Sequence, residues 1–159
     1  MDVRDVLIDG VEQLNDWVHG GIESLSPDQV NWLPEGKSVS IGFNAWHILR
    51  TEDNITNFVL QKRMPVWVDQ GTGMGLEDAR AIRIDDVALL CEYGEKVGAQ
   101  AIDYLKNVPL DELLEVQMVR PLGEMARWKV IRQVMMTHGF MHLGEINALK
   151  GQLGLQFNL

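Results

Sequence analysis

Cysteine is nearly absent from the chain, and basic residues are scarce. The single cysteine, Cys91, excludes an internal disulfide and is typical of a protein of the reducing cytoplasm. Fourteen Lys and Arg residues stand against 23 Asp and Glu residues, which gives a formal net charge of -9. Because such a surface repels phosphate backbones and anionic lipid headgroups, we expect neither nucleic acid nor a membrane as a partner.

Long apolar runs and strand signals are also missing. No segment stays apolar over the roughly 20 residues that a bilayer-spanning helix needs. The first ten residues, MDVRDVLIDG, contain three aspartates, so we expect no signal peptide and a cytoplasmic location. Residues 116 to 119 give the only weak strand signal. The length of 159 residues, of which 46% are hydrophobic, suits a single domain spanning 1–159.

What the chain does contain is helical periodicity in four long segments. The first segment repeats apolar residues at steps of three and four: Val3, Leu7, Val11, Leu14, Val18, Ile22 and Leu25. The second runs from Ser38 or Ser40 to about Lys62, where Pro65 stops it. The third begins after Asp85 as its N-cap and ends before Pro109.

The fourth helix is predicted from about Glu124 to Lys150, with Gly151 as its C-terminal cap. Two shorter helices are expected, one after a Ser26–Gln29 capping box and one at 110–116. Residues 63–83, with one proline and three glycines, are predicted to form a long loop. Four amphipathic helices bury their apolar stripes most simply as an all-α four-helix bundle.

Two histidines stand four residues apart in the fourth helix. His138 and His142 therefore share one helix face. The apolar residues Ile131, Met135 and Ile146 lie on the same stripe, so both imidazoles are expected to point into the core. Buried imidazoles need partners, and one metal ion satisfies both of them. The alternative is a pair of hydrogen-bonded core histidines without a metal.

A third histidine, His47, lies on a half-polar stripe of the second helix. Asn44 and Thr51 flank it at helical spacing, which favours a wet cavity over a dry helix interface. We expect His47 to supply a third metal ligand from an opposite helix. His19 lies instead among acidic residues of the first helix and is expected at the surface.

Three segments of the sequence resemble the DinB-like (YfiT-like) proteins. Residues 45–52, AWHILRTE, resemble the motif of their second helix. Residues 138–146, HGFMHLGEI, followed by Leu153-Gly154-Leu155, resemble the signature of their fourth helix. The order of helices and the long loop after the second helix also agree, so the resemblance covers nearly the whole chain.

The resemblance implies a four-helix bundle with a three-histidine site for a divalent metal, usually nickel, zinc, iron or manganese. It also implies frequent homodimers and, in some members, transferase or isomerase activity that depends on low-molecular-weight thiols, or hydrolase activity. We expect a small-molecule substrate or thiol as the partner. Apolar residues around Trp67 and Val68 are the expected dimer surface.

Three polar residues complete the predicted site. Glu145 returns to the face of His138 and either orients a ligand imidazole, acts as a base, or pairs with an arginine such as Arg50 or Arg127. Asn44 and Thr51 are expected to line the substrate cavity with Glu145. Two functions follow. One is a metal-dependent transferase or hydrolase; the other is a non-catalytic bundle that binds metal or a small ligand in a stress-related or regulatory role.

Overall fold

The computed structural model describes residues 2–36, 38–67 and 79–157. Within these residues four long helical segments form a bundle, which confirms the predicted all-α fold. The elements are α1 Val3–Ile22, α2 Pro27–Asn31, α3 Ile41–Asp53 with a π-helical continuation π1 Asn54–Leu60, α4 Val87–Asn107, α5 Leu110–Leu114, β1 Val116–Val119, β2 Gly123–Ala126, α6 Arg127–Val130, π2 Ile131–Thr137 and α7 His138–Gln152. No helix in this described part of the chain is both long and apolar enough to cross a bilayer.

The helix starts follow local capping chemistry. The side chain of Ser26 accepts the backbone N–H of Gln29 and the Gln29 side chain accepts that of Ser26, as the predicted capping box requires. Ser40 is the N-cap of α3, because its hydroxyl oxygen accepts the backbone N–H of Phe43. The predicted cap Asp85 is wrong by one residue: the carboxylate of Asp86 accepts the backbone N–H of Leu89 in the first turn of α4.

The fourth helix differs from its prediction at both ends. It begins at Arg127 rather than near Glu124, because residues 123–126 pair with β1 as the second strand of an antiparallel hairpin. It continues past Gly151 to Gln152, and the glycine with positive φ that follows is Gly154, at +70°. The periodicity therefore overestimated the N-terminal extent of the helix and placed its glycine terminator three residues early.

Both helices that carry the candidate ligands contain a π-helical turn. α3 widens into π1 after Asp53, and π2 leads directly into α7 at His138. Such turns are uncommon and concentrate at functional sites, because each one rotates the residues that follow relative to an α-helical register. The two π segments lie against each other and open the bundle at that level.

The loop prediction for residues 63–83 can be followed at its two ends. Residues 63–67 and 79–83 form turns and irregular backbone, and the centre, 68–78, lies outside the described residues. Trp67 packs its ring edge-on against Tyr93, with centroids 4.6 Å apart, so it contributes to the core of this molecule. The other half of the expected dimer surface, Val68, is among the residues not described.

The apolar core consists of two clusters at different heights in the bundle. The upper cluster joins the C-terminal half of α1 to α3, the start of α4 and the end of α7. The lower cluster joins the N-terminal half of α1 to π1, the end of α4, π2 and the hairpin. Along α3 and π1, which contribute to these two clusters, lies a set of buried polar side chains that we call the polar layer: Asn44, His47, Thr51, Glu52, Asp53, Thr56 and Asn57.

Close packing of α7 on α1 fixes the height of the histidines. A Cβ atom on Gly139 would lie 2.5 Å from Cδ2 of Leu14, whose side chain is buried. Only a glycine therefore permits this approach, and it stands directly after His138. Gly144, on the same helix, has no atom within 4 Å of such a Cβ.

The substitution Gly139→Ala should lower the free energy of unfolding by about 1–3 kcal/mol, because the added methyl overpacks the contact with Leu14. The matched change Gly144→Ala should raise it by up to about 1 kcal/mol through helix propensity alone. Urea unfolding followed by circular dichroism measures both. Equal stabilisation by the two alanines would show that α1 and α7 are not in contact at Gly139.

Candidate metal centre

The three predicted histidines converge in the polar layer. His47 comes from the middle of α3 and is 3% exposed, while His138 and His142 occupy the first two turns of α7. The ring of His47 is stacked on Phe43, with centroids 5.4 Å apart and planes inclined by 11°. This stacking fixes the orientation of the His47 ring, which faces His138 of α7.

The facing nitrogens have the spacing that a metal ion requires. Nε2 of His138 lies 3.3 Å from Nε2 of His47 and 3.1 Å from Nε2 of His142. Nitrogens bound at about 2.0–2.1 Å are about 2.9 Å apart at octahedral angles and about 3.4 Å apart at tetrahedral angles. These two distances fall between the two values, and one ligand nitrogen from each of the three histidines lies within 4.8 Å of the others, so the triad is grouped closely enough to hold a divalent ion. Among the described residues, this is the group of three metal-ligating side chains that lies close enough together.

Asn44 sets the tautomer of His142. Its amide nitrogen donates to the carbonyl oxygen of Ser40 at 3.2 Å, which leaves its Oδ1 facing Nδ1 of His142 at 2.8 Å. Nδ1 therefore donates, and a neutral imidazole then presents the lone pair of Nε2 to the other two rings. Sequence spacing predicts that Asn44 lies beside His47, whereas in the structure its side chain is hydrogen-bonded to His142 of the opposite helix.

Glu145 contacts the same nitrogen from the solvent side. Its carboxylate lies 3.1 Å from Nδ1 of His142, and its side chain is 56% exposed. The alternative salt bridges to arginine are not formed: Arg50 lies near Asp53, and Arg127 pairs with Glu112 and Glu115. Of the predicted roles, orientation of a ligand imidazole is the one that this geometry supports.

The electrostatic surroundings favour neutral imidazole at His138. Burial lowers its pKa, and the adjacent His142 lowers it further, against an opposing effect of Glu145 and of the Val134 backbone. Metal ions bind imidazole only in its neutral form. The environment therefore keeps this side chain ready for a metal ion at neutral pH.

A cavity of about 1000 Å³ opens beside the triad. His47, Thr51 and His138 form its inner end, and residues of π1, π2 and the β-hairpin form its walls. Of the three residues predicted to line it, Thr51 does so. Asn44 and Glu145 do not, because both lie on the Nδ1 side of His142. The hairpin wall was missed, since only one of its strands had a signal in the sequence.

The remaining histidine lies elsewhere, as predicted. His19 is partly exposed on α1, beside the carboxylates of Glu23 at 3.1 Å and Glu95 at 3.7 Å. It lines a second, smaller cavity of about 460 Å³ between α1 and α4. Because that cavity contains a single histidine and the larger one adjoins the triad, we assign the candidate site to the larger cavity.

Comparison with known families identifies the fold and the relatives of this site. The family model described as the DinB superfamily matches residues 11–146 and includes all three histidines. The chain belongs to the DinB superfamily. A comparison with curated proteins found no significant match.

Solved structures agree with this assignment at the level of the fold. A crystal structure described as a conserved protein from Enterococcus faecalis is similar with a TM-score of 0.81 and 17% sequence identity. The similarity covers 97% of this DinB-superfamily chain and 99% of the other chain. At that identity the likeness shows a shared fold and carries no function across.

Asp53 organises the part of the polar layer that faces away from the triad. Its carboxylate accepts four hydrogen bonds, from the amide of Asn57, the hydroxyl of Tyr93 and the backbone N–H groups of Val66 and Trp67. These hydrogen bonds attach the segment that follows π1, at Val66 and Trp67, to the bundle core. The sequence alone does not reveal this role of Asp53, because nothing in its spacing shows that its partners come from a loop and from α4.

Glu52 has a strongly perturbed pKa without being part of the site. Complete burial raises its pKa to about 7, a hydrogen bond from Asn15 at 3.0 Å lowers it, and Asp53 raises it. A perturbed carboxyl of this kind is often catalytic. Glu52, however, faces Asn15 of α1 and does not line the cavity, so in this DinB-superfamily member it acts on stability.

Glu52→Gln should flatten the dependence of stability on pH. The ordinary pKa is 4.5 and the folded value is about 7, so between these values the folded state keeps a proton that the unfolded state loses. The free energy of unfolding should therefore fall by about 3 kcal/mol from pH 4.5 to 7 and stay level above 7. The neutral glutamine removes this contribution.

Urea unfolding at pH 5, 6, 7 and 8 measures the effect, with the exposed residue of α1 changed in Glu12→Gln as the control. The wild type and the control should share the same decline, and Glu52→Gln should be the most stable of the three at pH 8. An unchanged decline in Glu52→Gln would show that this carboxyl is ionised in the folded protein.

Proposed function

We propose that His47, His138 and His142 bind one divalent metal ion through their Nε2 atoms. The observation that carries the proposal is the convergence of the buried His47 with the half-buried His138 and His142, whose nitrogens lie 3.3 and 3.1 Å apart along the triad. Two imidazoles can share one proton in a hydrogen bond between their nitrogens. Three imidazoles whose nitrogens meet at one point are stabilised better by a cation that all three can bind. Nickel, zinc, iron and manganese are the candidates that the family resemblance implies.

The three side chains leave coordination positions for other ligands, and His47 and His138 border the cavity from which such ligands would come. A divalent ion held there would supply Lewis-acid chemistry, polarising a substrate oxygen or stabilising a thiolate. Residues of the chain orient the imidazoles, since Phe43 stacks on His47 and Asn44 accepts the Nδ1 proton of His142, and burial lowers the pKa of His138. A metal-dependent enzyme acting on a small molecule is the function that this arrangement supports best.

Between the two enzyme classes, the cavity favours a thiol-dependent transferase over a hydrolase. None of the described residues that line it is an aspartate or glutamate, so no carboxylate is placed there to take a proton from water. A thiol loses its proton more readily than water does and needs less help from a base. The same observation supports the second candidate, a non-catalytic bundle that binds metal or a small ligand.

We also propose a homodimer, as the resemblance implies. Trp67, one of the two residues at which the contact was expected, packs against Tyr93 within the same molecule.

His142→Ala should abolish stoichiometric metal binding, because two imidazoles remain where three converge. Protein purified without added metal and then dialysed against nickel or zinc is analysed for bound metal by elemental analysis, and its affinity is measured by calorimetry. We expect one ion per chain in the wild type and a loss of affinity of more than about 100-fold in the variant, beyond what an outer-shell change costs. His19→Ala, the control, should bind as the wild type does. Equal binding by His142→Ala would overturn the proposal.

Asn44→Ala should weaken metal binding by about 10–100-fold while leaving all three ligands in place, because the Nδ1 proton of His142 loses the nearer of its two acceptors and keeps only the exposed Glu145. Asn54→Ala removes a cavity amide with no hydrogen bond to the imidazoles and should leave the affinity unchanged.

Glu145→Gln should retain the metal, and it should lower a thiol-transfer rate by about 10²–10⁴ only if Glu145 acts as a general base. A full rate in Glu145→Gln together with an inactive His142→Ala would assign Glu145 to orientation alone.

A further inference from the structure

The charge of the large cavity is opposite to that of the protein. The chain has a formal net charge of -9, yet the charged residues among those described around this cavity are Lys62 and Arg120, both basic. In a chain with 23 acidic and 14 basic residues, a cavity of this size with cations and no described carboxylate is unexpected. Its potential favours an anionic ligand.

The two cations are not committed to carboxylates of the described chain. The ammonium of Lys62 donates to the backbone carbonyl of Val59 at 2.7 Å, which holds it at the end of π1. Neither Lys62 nor Arg120 forms a salt bridge within residues 2–36, 38–67 and 79–157. Both are exposed, so they stand at the solvent side of the cavity, whereas His47 is buried.

The walls of the cavity are apolar. They are formed by the side chains of Ile55, Phe58, Val59, Met118, Val119, Pro121, Leu122, Val134 and Met141. Four large apolar side chains that line it remain more than half exposed: Phe58, Met118, Leu122 and Met141. An apolar surface of this extent, rimmed by charges, is typical of a ligand groove.

We propose that the cavity binds a small amphipathic anion. Its apolar chain or ring would lie along the walls, and its carboxylate or comparable anionic group would lie at Lys62 and Arg120. The inner end of the molecule, which reaches His47 and His138, would carry the donor atom that meets the metal. This last element rests on the proposed function, whereas binding of the apolar body and the anionic group does not.

The test uses straight-chain carboxylates of six to twelve carbons, the alcohols of the same length, and the corresponding ω-mercaptocarboxylates. Calorimetry is performed at low ionic strength with metal-free and with metal-loaded protein. The Kd of the carboxylates should fall about three- to fourfold for each added CH₂ until the cavity is filled, with or without metal. Carboxylates should bind about fivefold more tightly than alcohols, as expected for exposed ion pairs.

Matched variants separate the contributions of charge and apolar surface. The double variant Lys62→Gln and Arg120→Gln should lose the preference for carboxylate over alcohol, and Lys106→Gln, an exposed lysine outside the cavity, should keep it. Phe58→Glu should raise the Kd for octanoate at least tenfold. Leu114→Glu, which alters a residue of similar exposure on α5, should not change it.

The outcomes distinguish this inference from the metal proposal. Both proposals are supported if the mercaptocarboxylate binds more tightly than the carboxylate of the same length, and does so only in the metal-loaded protein. Binding of metal without any dependence on chain length or charge would overturn the inference and leave the metal site standing. The inference also fails if light scattering shows a dimer that Phe58→Glu dissociates and that excludes octanoate, because the apolar walls would then be an interface between copies.

Discussion

Burying polar groups inside a helical bundle is unfavourable unless each one finds a partner, and the helix formed by α3 and π1 buries many of them. Of the seven consecutive side chains from Thr51 to Asn57, which span the end of α3 and the start of π1, five are polar and buried, and Asn44 and His47 are buried earlier in α3. An unpartnered amide or carboxylate in such a place costs several kcal/mol. Hydrogen bonds from α1 and α4 to Glu52 and Asp53 therefore help to fix how those helices pack around α3.

The partners come from every side of the bundle. Asn15 of α1 donates to Glu52, Tyr93 of α4 donates to Asp53, and the loop after π1 donates two backbone N–H groups to the same aspartate. The imidazoles of α7 face His47 and complete the layer. Because each partner belongs to a different element, the hydrogen bonds of the polar layer specify one register of the helices. The two apolar clusters alone would not specify that register.

Where local periodicity decides structure, the sequence was a sufficient guide. The apolar spacing from Leu7 to Ile22 specified α1, and the spacing of His138 and His142 placed both on the face that meets α3. The convergence of His47 with that pair also followed from the half-polar stripe on which it lies. These features depend on intervals of three and four residues, which a sequence displays directly.

The features that sequence could not supply depend on distant parts of the chain. An α-helical period was assumed throughout, so the π turns after Asp53 and before His138 were not foreseen, nor was the cavity that they open. The strand at Gly123–Ala126 has little strand propensity of its own and exists because β1 pairs with it. The roles of Asp53 and Asn44 likewise follow from partners that are more than ten and more than ninety positions away.

The absence of a side chain at Gly139 has a consequence for anyone who would move this site into another protein. At Gly139, next to His138, α7 lies so close to α1 that the methyl groups of Leu14 leave no room for a Cβ atom. A graft of the three histidines alone would inherit whatever helix spacing the host bundle has, and an error of one ångström exceeds what a metal site tolerates. The smallest transplantable unit is therefore the triad together with the glycine and the leucine behind it.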